Sequence, residues 1–257
     1  MYNLKNKIVF VTGASSGIGA ATARLAAAAG AHLILAARRK ERLDELASSL
    51  QSEFGVRIHT VRMDVTNRGQ VQNVIRGLPA DWTHIDVLVN NAGKALGLDK
   101  SYETTIEHLD GMFDTNVKGL LHVTQSILPG MLERGRGHVV NIGSTAGHWV
   151  YPGGTVYCAS KHAVRALNEG LKMDVHGTPI RVTSVDPGLV ETEFSLVRFE
   201  GDADRAGTVY ANMTPLTPED VADAVVWATT RPAHVNISEV LLMCVDQSHA
   251  TLVNRRS

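Results

Sequence analysis

Ser144, Tyr157 and Lys161 have the types and spacing of a proton-transfer set. Tyr157 and Lys161 stand four residues apart, which on a helix puts both side chains on one face. An ammonium beside a phenol favours the phenolate, so Lys161 is expected to lower the Tyr157 pKa. A tyrosine tuned in this way can give or take a proton near neutral pH. Ser144 lies thirteen residues before the tyrosine, at the expected end of a strand, where its hydroxyl can hold a carbonyl oxygen. Such a set can reduce a carbonyl or oxidise an alcohol if something else supplies the hydride. Tyr-x-x-x-Lys pairs also arise by chance, so the surrounding elements decide what this one means.

The elements begin with a strand over 8–11, followed by Thr12-Gly-Ala-Ser-Ser-Gly-Ile-Gly19 and an alanine-rich helix over 20–29 that stops at Gly30. A glycine-rich turn between a strand and a helix N-terminus offers free N–H groups and the positive dipole end to an anion. The spacing Gly-x-x-x-Gly-x-Gly differs from the common dinucleotide fingerprint, and the same glycines also suit a purely structural turn. A second strand over 32–37 ends in Ala37-Arg38-Arg39, where dinucleotide folds place a carboxylate on the ribose. Here arginines stand instead, and an arginine can pair a 2′-phosphate bidentately. This favours NADP(H) over NAD(H), with Arg38 ahead of Arg39; the other reading is that both merely open a solvated helix over 40–54.

A third strand over 58–63 leads to Asp64-Val65, where Asp64 can accept from an adenine amino group or cap the helix that starts near Asn67. A fourth strand over 87–89 ends in Asn90-Asn91-Ala92-Gly93, small and amide residues suited to the ligand crevice of a parallel sheet, with Gly93 also suited to a turn at positive φ. A long helical pattern over 109–132 carries Asn116 near its middle, which suggests a kink or a role. Strands over 139–142, 180–185 and 239–245 and helices over 155–175 and 217–230 complete the alternation. The expected fold is one doubly wound α/β domain over 1–257, Rossmann-like, with a seven-stranded, mostly parallel sheet and helices on both faces. The pattern weakens over 189–215, and a long irregular segment of this kind is expected to be a substrate lid. The final SHATLVNRRS is expected as a free tail or as a contact with a neighbouring subunit.

The chain has 257 residues, 44% hydrophobic, with a formal net charge of −1 and no run of like charge. A sizeable core is therefore affordable, and nucleic acid or a membrane surface is not expected as the main partner. Cys158 and Cys244 have neither metal-site nor disulfide-framework spacing. The eleven histidines show no His-x-x-x-His or carboxylate clustering, so no metal is expected. No signal peptide and no apolar run of membrane-spanning length is read, which makes a soluble cytoplasmic protein the expectation.

Taken together, Thr12-Gly-x-x-x-Gly-x-Gly19, Asp64-Val65, Asn90-Asn-Ala-Gly93, Asn116, Ser144, Tyr157-x-x-x-Lys161 and Pro187-Gly188 resemble the short-chain dehydrogenase/reductase family along the whole chain. The stretches PGLVETEFSLVRFEGD, LTPEDVADAV, RPAHVNI and QSHATLVNRR are similar to one branch of it. That branch holds the NADP-dependent 3-hydroxy acid dehydrogenases, also described as L-allo-threonine or serine dehydrogenases, with related aldehyde and sulfoacetaldehyde reductases. The resemblance implies a seven-stranded Rossmann-like fold, NADP(H) as cofactor and a homotetramer or dimer. It implies Tyr157 as general acid and base, Lys161 as the residue that lowers its pKa and holds the nicotinamide ribose, and Ser144 as the group that polarises the carbonyl. Asn116 would order a water that links Lys161 to solvent. Gly13, Ser15, Ser16, Gly17, Ile18 and Gly19 would frame the pyrophosphate, and Asp64 with Val65 the adenine. Asn90, Ala92 and Gly93 would lie along the ribose, and Pro187, Gly188, Val190 and Thr192 near the nicotinamide.

For the substrate, Arg198 in the lid can pair a carboxylate or sulfonate, or stand solvated beside Glu200. His148, Trp149 and Tyr151 are expected at the pocket mouth, His148 as a polar wall. A small 3-hydroxy acid of the serine, allo-threonine or 3-hydroxypropionate type, with its carbonyl form, is the expected substrate. A broader aldehyde or ketone reductase, sulfoacetaldehyde included, is one alternative. A catalytically idle nucleotide-binding scaffold is another, and the intact Ser144, Tyr157, Lys161 and Asn116 speak against it.

Overall fold

The computed structural model describes residues 2–256. Its single sheet has the order β3-β2-β1-β4-β5-β6-β7, with every neighbouring pair parallel. The strands are β1 Ile8–Thr12, β2 His32–Ala37, β3 Ile58–Arg62, β4 Val87–Asn90, β5 Gly137–Ile142, β6 Ile180–Pro187 and β7 Glu239–Leu242. The helices are α1 Gly17–Ala28, α2 Lys40–Phe54, α3 Arg68–Arg76, α4 Ile106–Phe113, α5 Leu120–Glu133, α6 Thr155–Asp174, α7 Glu193–Arg198, α8 Ala203–Thr208 and α9 Pro218–Thr229.

Parallel strands covered on both faces must be apolar at successive positions, and β1 shows how this sheet meets that demand. Its Val9 and Val11 pack with Leu33, Leu35 and Val225 on one face, while Ile8 and Phe10 pack with Ile34, Val123 and Ile127 on the other. Each such side chain contributes roughly 1.5–3 kcal/mol by leaving water. The strand order reverses between β1 and β4, which opens a crevice at the strands' C-terminal ends. Glycine-rich turn, Asn91, Ser144 and Pro187 all lie at that edge because each follows or ends a strand that points to it.

The turn after β1 depends on two glycines. Gly13 has φ +64°, a left-handed conformation that a side chain disfavours. Gly19 lies so close to the Gly13 carbonyl and Asn91 Nδ2 that a Cβ there would overlap both. α1 starts at Gly17, three residues earlier than expected, so the turn runs straight into its first turn of helix.

The long pattern around Asn116 is broken. Between α4 and α5 the residues Asp114–Gly119 form a π-helical segment. Such segments often mark functional sites. Segment 189–215 is irregular only in part: α7 and α8 lie within it, joined and flanked by turns. Thr192 Oγ1 accepts from Phe194 N at 3.1 Å and Asp202 Oδ1 from Arg205 N at 3.0 Å, so each helix has its own cap. Helices of six residues are too short to show a period in the sequence. α9 begins as its residues imply: Thr217 and Asp220 form a reciprocal capping box with Pro218 in the first turn.

The C-terminal segment packs on the body of its own chain. Arg255 donates to Ala211 O at 2.6 Å and Val209 O at 3.1 Å, and Arg256 pairs with Asp246 at 2.8 Å. Gln247 Oε1 accepts from Leu189 N at 2.9 Å. No described helix is long and apolar enough to cross a membrane.

Candidate active site

A cleft of about 740 Å³ runs along the strand ends. Gly13, Ser15, Ser16, Gly17 and Ile18 from the first turn line it, as do Arg38, Arg39, Asp64, Val65, Ala92 and Gly93. Ser144, Tyr151, Tyr157 and Lys161 form one wall, and Pro187, Gly188, Val190, Thr192 and Arg198 another.

Five expected site residues stand elsewhere. Asn90 is buried and turns inward, donating to Thr124 Oγ1 and Asn141 Oδ1, both at 2.9 Å. Its neighbour Asn91 takes the cleft position and pins the turn, donating to Thr12 O at 2.9 Å and Gly13 O at 3.2 Å. Successive side chains leave a strand on opposite faces, so only one of the two asparagines can face the ligand. Gly19 does not line the cleft; it lets α1 close on the turn behind it. His148 also faces away, with Nε2 2.7 Å from Asp186 Oδ2 beneath the cleft floor. Trp149 turns to the C-terminal segment, its ring 4.7 Å from that of His249. Asn116 sits just behind the wall: its Oδ1 accepts from Lys94 N at 2.8 Å, and its Nδ2 donates to Lys94 O at 2.9 Å and Ser160 Oγ at 3.0 Å. Gly93 separates Asn116 from Lys161, and a Cβ there would stand 3.3 Å from Asn116 Oδ1 and 3.7 Å from Lys161 Nζ. Gly93 is not among the residues at positive φ, so its turn is an ordinary one and closeness is what suits glycine there.

The proton-transfer set is assembled by α6 and the end of β5. Tyr157 and Lys161 lie on one face of α6, both buried. Ser144 caps the short turn Thr145–Gly147, its Oγ accepting from Ala146 N at 3.1 Å. The expected depression of the Tyr157 pKa by Lys161 is not met. Burial raises the phenol, Tyr151 adds to this, and the Arg198 charge and the Ser144 hydrogen bond only partly oppose it. Lys161 Nζ stands 6.0 Å from the ring centroid and donates to Ile142 O at 2.9 Å. Burial lowers the Lys161 pKa to about 8, against the pull of Asp186. In this enclosed place the loss of solvation outweighs the attraction between the two groups.

At the other end of the cleft, cations gather. Arg39 donates to Ser15 Oγ at 3.0 Å and Ser16 Oγ at 2.8 Å. It also pairs with Glu193 at 3.1 Å, which Arg42 holds from the other side at 2.8 Å. Those two arginines, with Arg42 first, hold the Glu193 carboxyl below its ordinary range. Arg38 lines the cleft near Lys94, whose pKa is lowered by burial and by the Arg38 charge. Asp64 does not cap α3; Asn67 does, accepting from Gln70 N at 2.9 Å, while Asp64 Oδ1 accepts from Thr66 N at 3.0 Å. A glycine turn with no room for a Cβ, two serine hydroxyls and these cations fit a dinucleotide that carries a further phosphate.

Sequence reasoning put Asn91 in the crevice motif but gave the ligand contact to Asn90, and it missed Lys94, Arg42, Glu193 and Asp186 and the cleft lining by Gln247, Thr251 and Arg255. It also missed a cluster of His148, Asp186 and Glu239, whose nearest ligand atoms lie within 4.8 Å of one another. Ser184 donates to Asp186 and Arg165 to Glu239, so these carboxylates already have protein partners. The only available signal was the second asparagine of Asn90-Asn91; the others are joined across long stretches of chain.

Residues 7–202 match the family model described as short chain dehydrogenase. The chain is 51% identical over 251 residues to the NADP-dependent 3-hydroxy acid dehydrogenase YdfG of Salmonella typhi, covering 97% of this chain and 100% of the relative. It is 46% identical to sulfoacetaldehyde reductase 2 of Chromohalobacter salexigens over 242 residues, 94% of this chain and 95% of the relative. Among solved structures, the closed form of serine dehydrogenase complexed with NADP+ superposes with a TM-score of 0.91 at 48% identity, covering 97% of this chain and 100% of that one. With the reversed strand order, the glycine turn and the paired tyrosine and lysine in one cleft, and with this similarity over nearly the whole length, the chain belongs to the short-chain dehydrogenase family.

Proposed function

We propose that the protein is an NADP(H)-dependent oxidoreductase that interconverts a small 3-hydroxy acid of the serine, allo-threonine or 3-hydroxypropionate type and its carbonyl form. The observation that carries the substrate class is Arg198. Its guanidinium lies 5.0 Å from the Tyr157 ring centroid and donates to Tyr151 Oη at 2.9 Å. Its Nε is buried with no hydrogen-bond partner among the described residues, and Glu200 pairs with His108 instead. A cation beside the proton donor, with no carboxylate of its own, suits a substrate that brings one. A carboxylate held there keeps the neighbouring hydroxyl-bearing carbon near Tyr157.

Bound NADP(H) supplies the hydride or accepts it. Gly13, Ser15, Ser16, Gly17 and Ile18 would hold its pyrophosphate, and Arg38 and Arg39 its 2′-phosphate. In reduction, Tyr157 and Ser144 stabilise the charge that develops on the carbonyl oxygen, and Tyr157 then transfers its proton. A donor aimed at developing charge contributes about 2.7–4 kcal/mol. In oxidation Tyr157 takes the proton from the alcohol. Lys161, on the same cleft wall, stabilises the phenolate, and Asn116 holds the wall beside it. Segment 189–215 serves as the lid, tied at one end by Glu193 to the arginines.

Steady-state rates with a 3-hydroxy acid, sulfoacetaldehyde and a neutral diketone test the reading. The 3-hydroxy acid and its semialdehyde are expected to have the highest kcat/KM. A preference for the neutral diketone overturns the acid-substrate reading. A preference for sulfoacetaldehyde moves the assignment to an aldehyde reductase, which Arg198 serves equally well through a sulfonate. No NADPH consumption with any small carbonyl makes the protein a nucleotide-binding scaffold. Arg198→Ala is expected to raise KM for acidic substrates at least ~10-fold, the loss of one charge-assisted contact, and for neutral ones by under ~3-fold. Equal effects remove the anchoring role.

The reading also places the protein in the cytoplasm as a homotetramer. Exposed Tyr102 in the turn before α4, Ile106 at the start of α4 and Met173 near the end of α6 support self-association. Light scattering is expected to return the mass of four chains, and a monomer mass excludes assembly.

A further inference from the structure

Lys161 is a buried ammonium whose one hydrogen-bond acceptor among the described residues is the Ile142 carbonyl at 2.9 Å. An ammonium has three donors, and a buried one needs an opposite charge to stay protonated. Asp186 stands next to that acceptor. Val185 pairs with Ile142 across β5 and β6, and Gly143 N donates to Val185 O at 2.9 Å. The Asp186 carboxylate is laid flat on Gly143, so closely that a Cβ on that glycine would overlap Oδ1. Asp186 is itself buried at the C-terminal end of β6, just before Pro187 and Gly188.

Both Asp186 oxygens are engaged, Oδ1 by the Ser184 hydroxyl and Oδ2 by His148 Nε2 at 2.7 Å. These two bonds hold the carboxylate against the β5–β6 backbone that also carries the Lys161 acceptor. Beyond His148 the line continues outward. Glu239 Oε1 lies 3.9 Å from His148 Nε2, and Arg165 Nε lies 3.3 Å from Glu239 Oε2. The charged and titratable groups that face the pair are Tyr157, whose ring centroid lies 6.0 Å from Lys161 Nζ, and His148, Glu239 and Arg165 beyond Asp186.

We propose that Asp186 is the counter-charge that keeps Lys161 protonated during turnover, and that His148 is the positioning residue that holds Asp186 in place and ionised. The proposal rests on the reading that Lys161 serves the reaction. The electrostatics agree: Asp186 is the one charge that raises Lys161 against the burial that lowers it. Burial in turn pushes the Asp186 carboxyl up, and the hydrogen bonds from Ser184 and His148 pull it back. Losing either His148 or the carboxylate thus acts on Lys161 in the same direction, Asp186 more strongly.

The test is the pH profile of carbonyl reduction for the wild type, Asp186→Asn, His148→Ala and His148→Gln, with NADPH affinity and circular dichroism recorded for each. Asp186 makes no ion pair within 4.0 Å of Lys161, so removing its charge is expected to lower the lysine pKa by up to about one unit. The limb in which rate falls with rising pH is therefore expected to move to lower pH by about that much in Asp186→Asn, and by a smaller amount in His148→Ala. His148→Gln keeps a donor at this place and is expected to restore most of the shift. A folded Asp186→Asn or, if that variant does not fold, a folded His148→Ala whose limb coincides with the wild type overturns the proposal. A wild type that reduces no carbonyl defeats the functional reading itself, an outcome distinct from coincident profiles.

Discussion

Tyr157→Phe is expected to lower turnover by on the order of 10³-fold while leaving NADPH affinity within about twofold, since a positioned acid–base group contributes roughly 10²–10⁴-fold. The substitution removes one hydroxyl and keeps the ring. That ring packs with Ala95, Met112, Ala146 and Cys158 and meets Phe194 edge-on at 5.7 Å. Phenylalanine fills the same space, so fold and cleft shape persist. The Arg198 guanidinium keeps its aromatic face at 5.0 Å, and substrate KM is expected to change little. Turnover falls because the developing oxyanion loses both a donor and its proton source. Rates under saturating cofactor, beside a fluorescence titration of NADPH, measure the two halves. Activity within tenfold of wild type removes Tyr157 from the acid–base role. A pH consequence accompanies this. Burial raises the phenol, so the protonated form prevails at neutral pH and suits reduction. Oxidation requires the phenolate and is expected to accelerate as pH rises.

Arg38→Ala together with Arg39→Ala is expected to weaken NADPH by about 10²-fold and NADH by less than about threefold, the first figure corresponding to charge-assisted hydrogen bonds lost from one phosphate. The 2′-phosphate is the only difference between the two cofactors, so the ratio of their dissociation constants isolates its site. The structure adds a reason for NADH binding to survive. Glu193 keeps Arg42 at 2.8 Å in the double variant, so the segment it belongs to retains a tether. Ser15 and Ser16 lose Arg39 but remain on a turn shaped by Gly13, Gly19 and Asn91. Equal weakening of both cofactors would mean that the arginines support the turn and do not read the phosphate. The single variants then divide the labour. Arg39, already bound to both serines, is expected to contribute more than Arg38, the reverse of what position in the sequence alone suggests.

Asn116 illustrates how far local pattern reaches. An asparagine inside a helical run predicts an interruption, because its side chain competes for backbone bonds. The π segment Asp114–Gly119 is that interruption, and the competing bonds go to Lys94 and Ser160. The partners themselves, twenty-two and forty-four residues away, had no mark in the sequence. The asparagine pair at 90–91 marks a second limit. Its place at a strand end was readable, but which member faces the ligand depended on the pleat of β4 against β5 and α5.

The sequence by itself determined the alternation of strand and helix, the glycine turn, the tyrosine and lysine on one helical face and the cap of α9. These follow from sterics, spacing and hydrogen bonds within a few residues. Tertiary structure alone decided what surrounds them. It brought Arg198 to the Tyr157 ring, Asp186 against Gly143 beside the carbonyl that holds Lys161, His148 away from the cleft and Gln247 onto Leu189. It also turned the expected depression of the Tyr157 pKa into a rise. The direction of such a shift depends on the balance between lost solvation and nearby charge. Both terms are set by how distant segments pack, and a helical spacing of four residues contains neither.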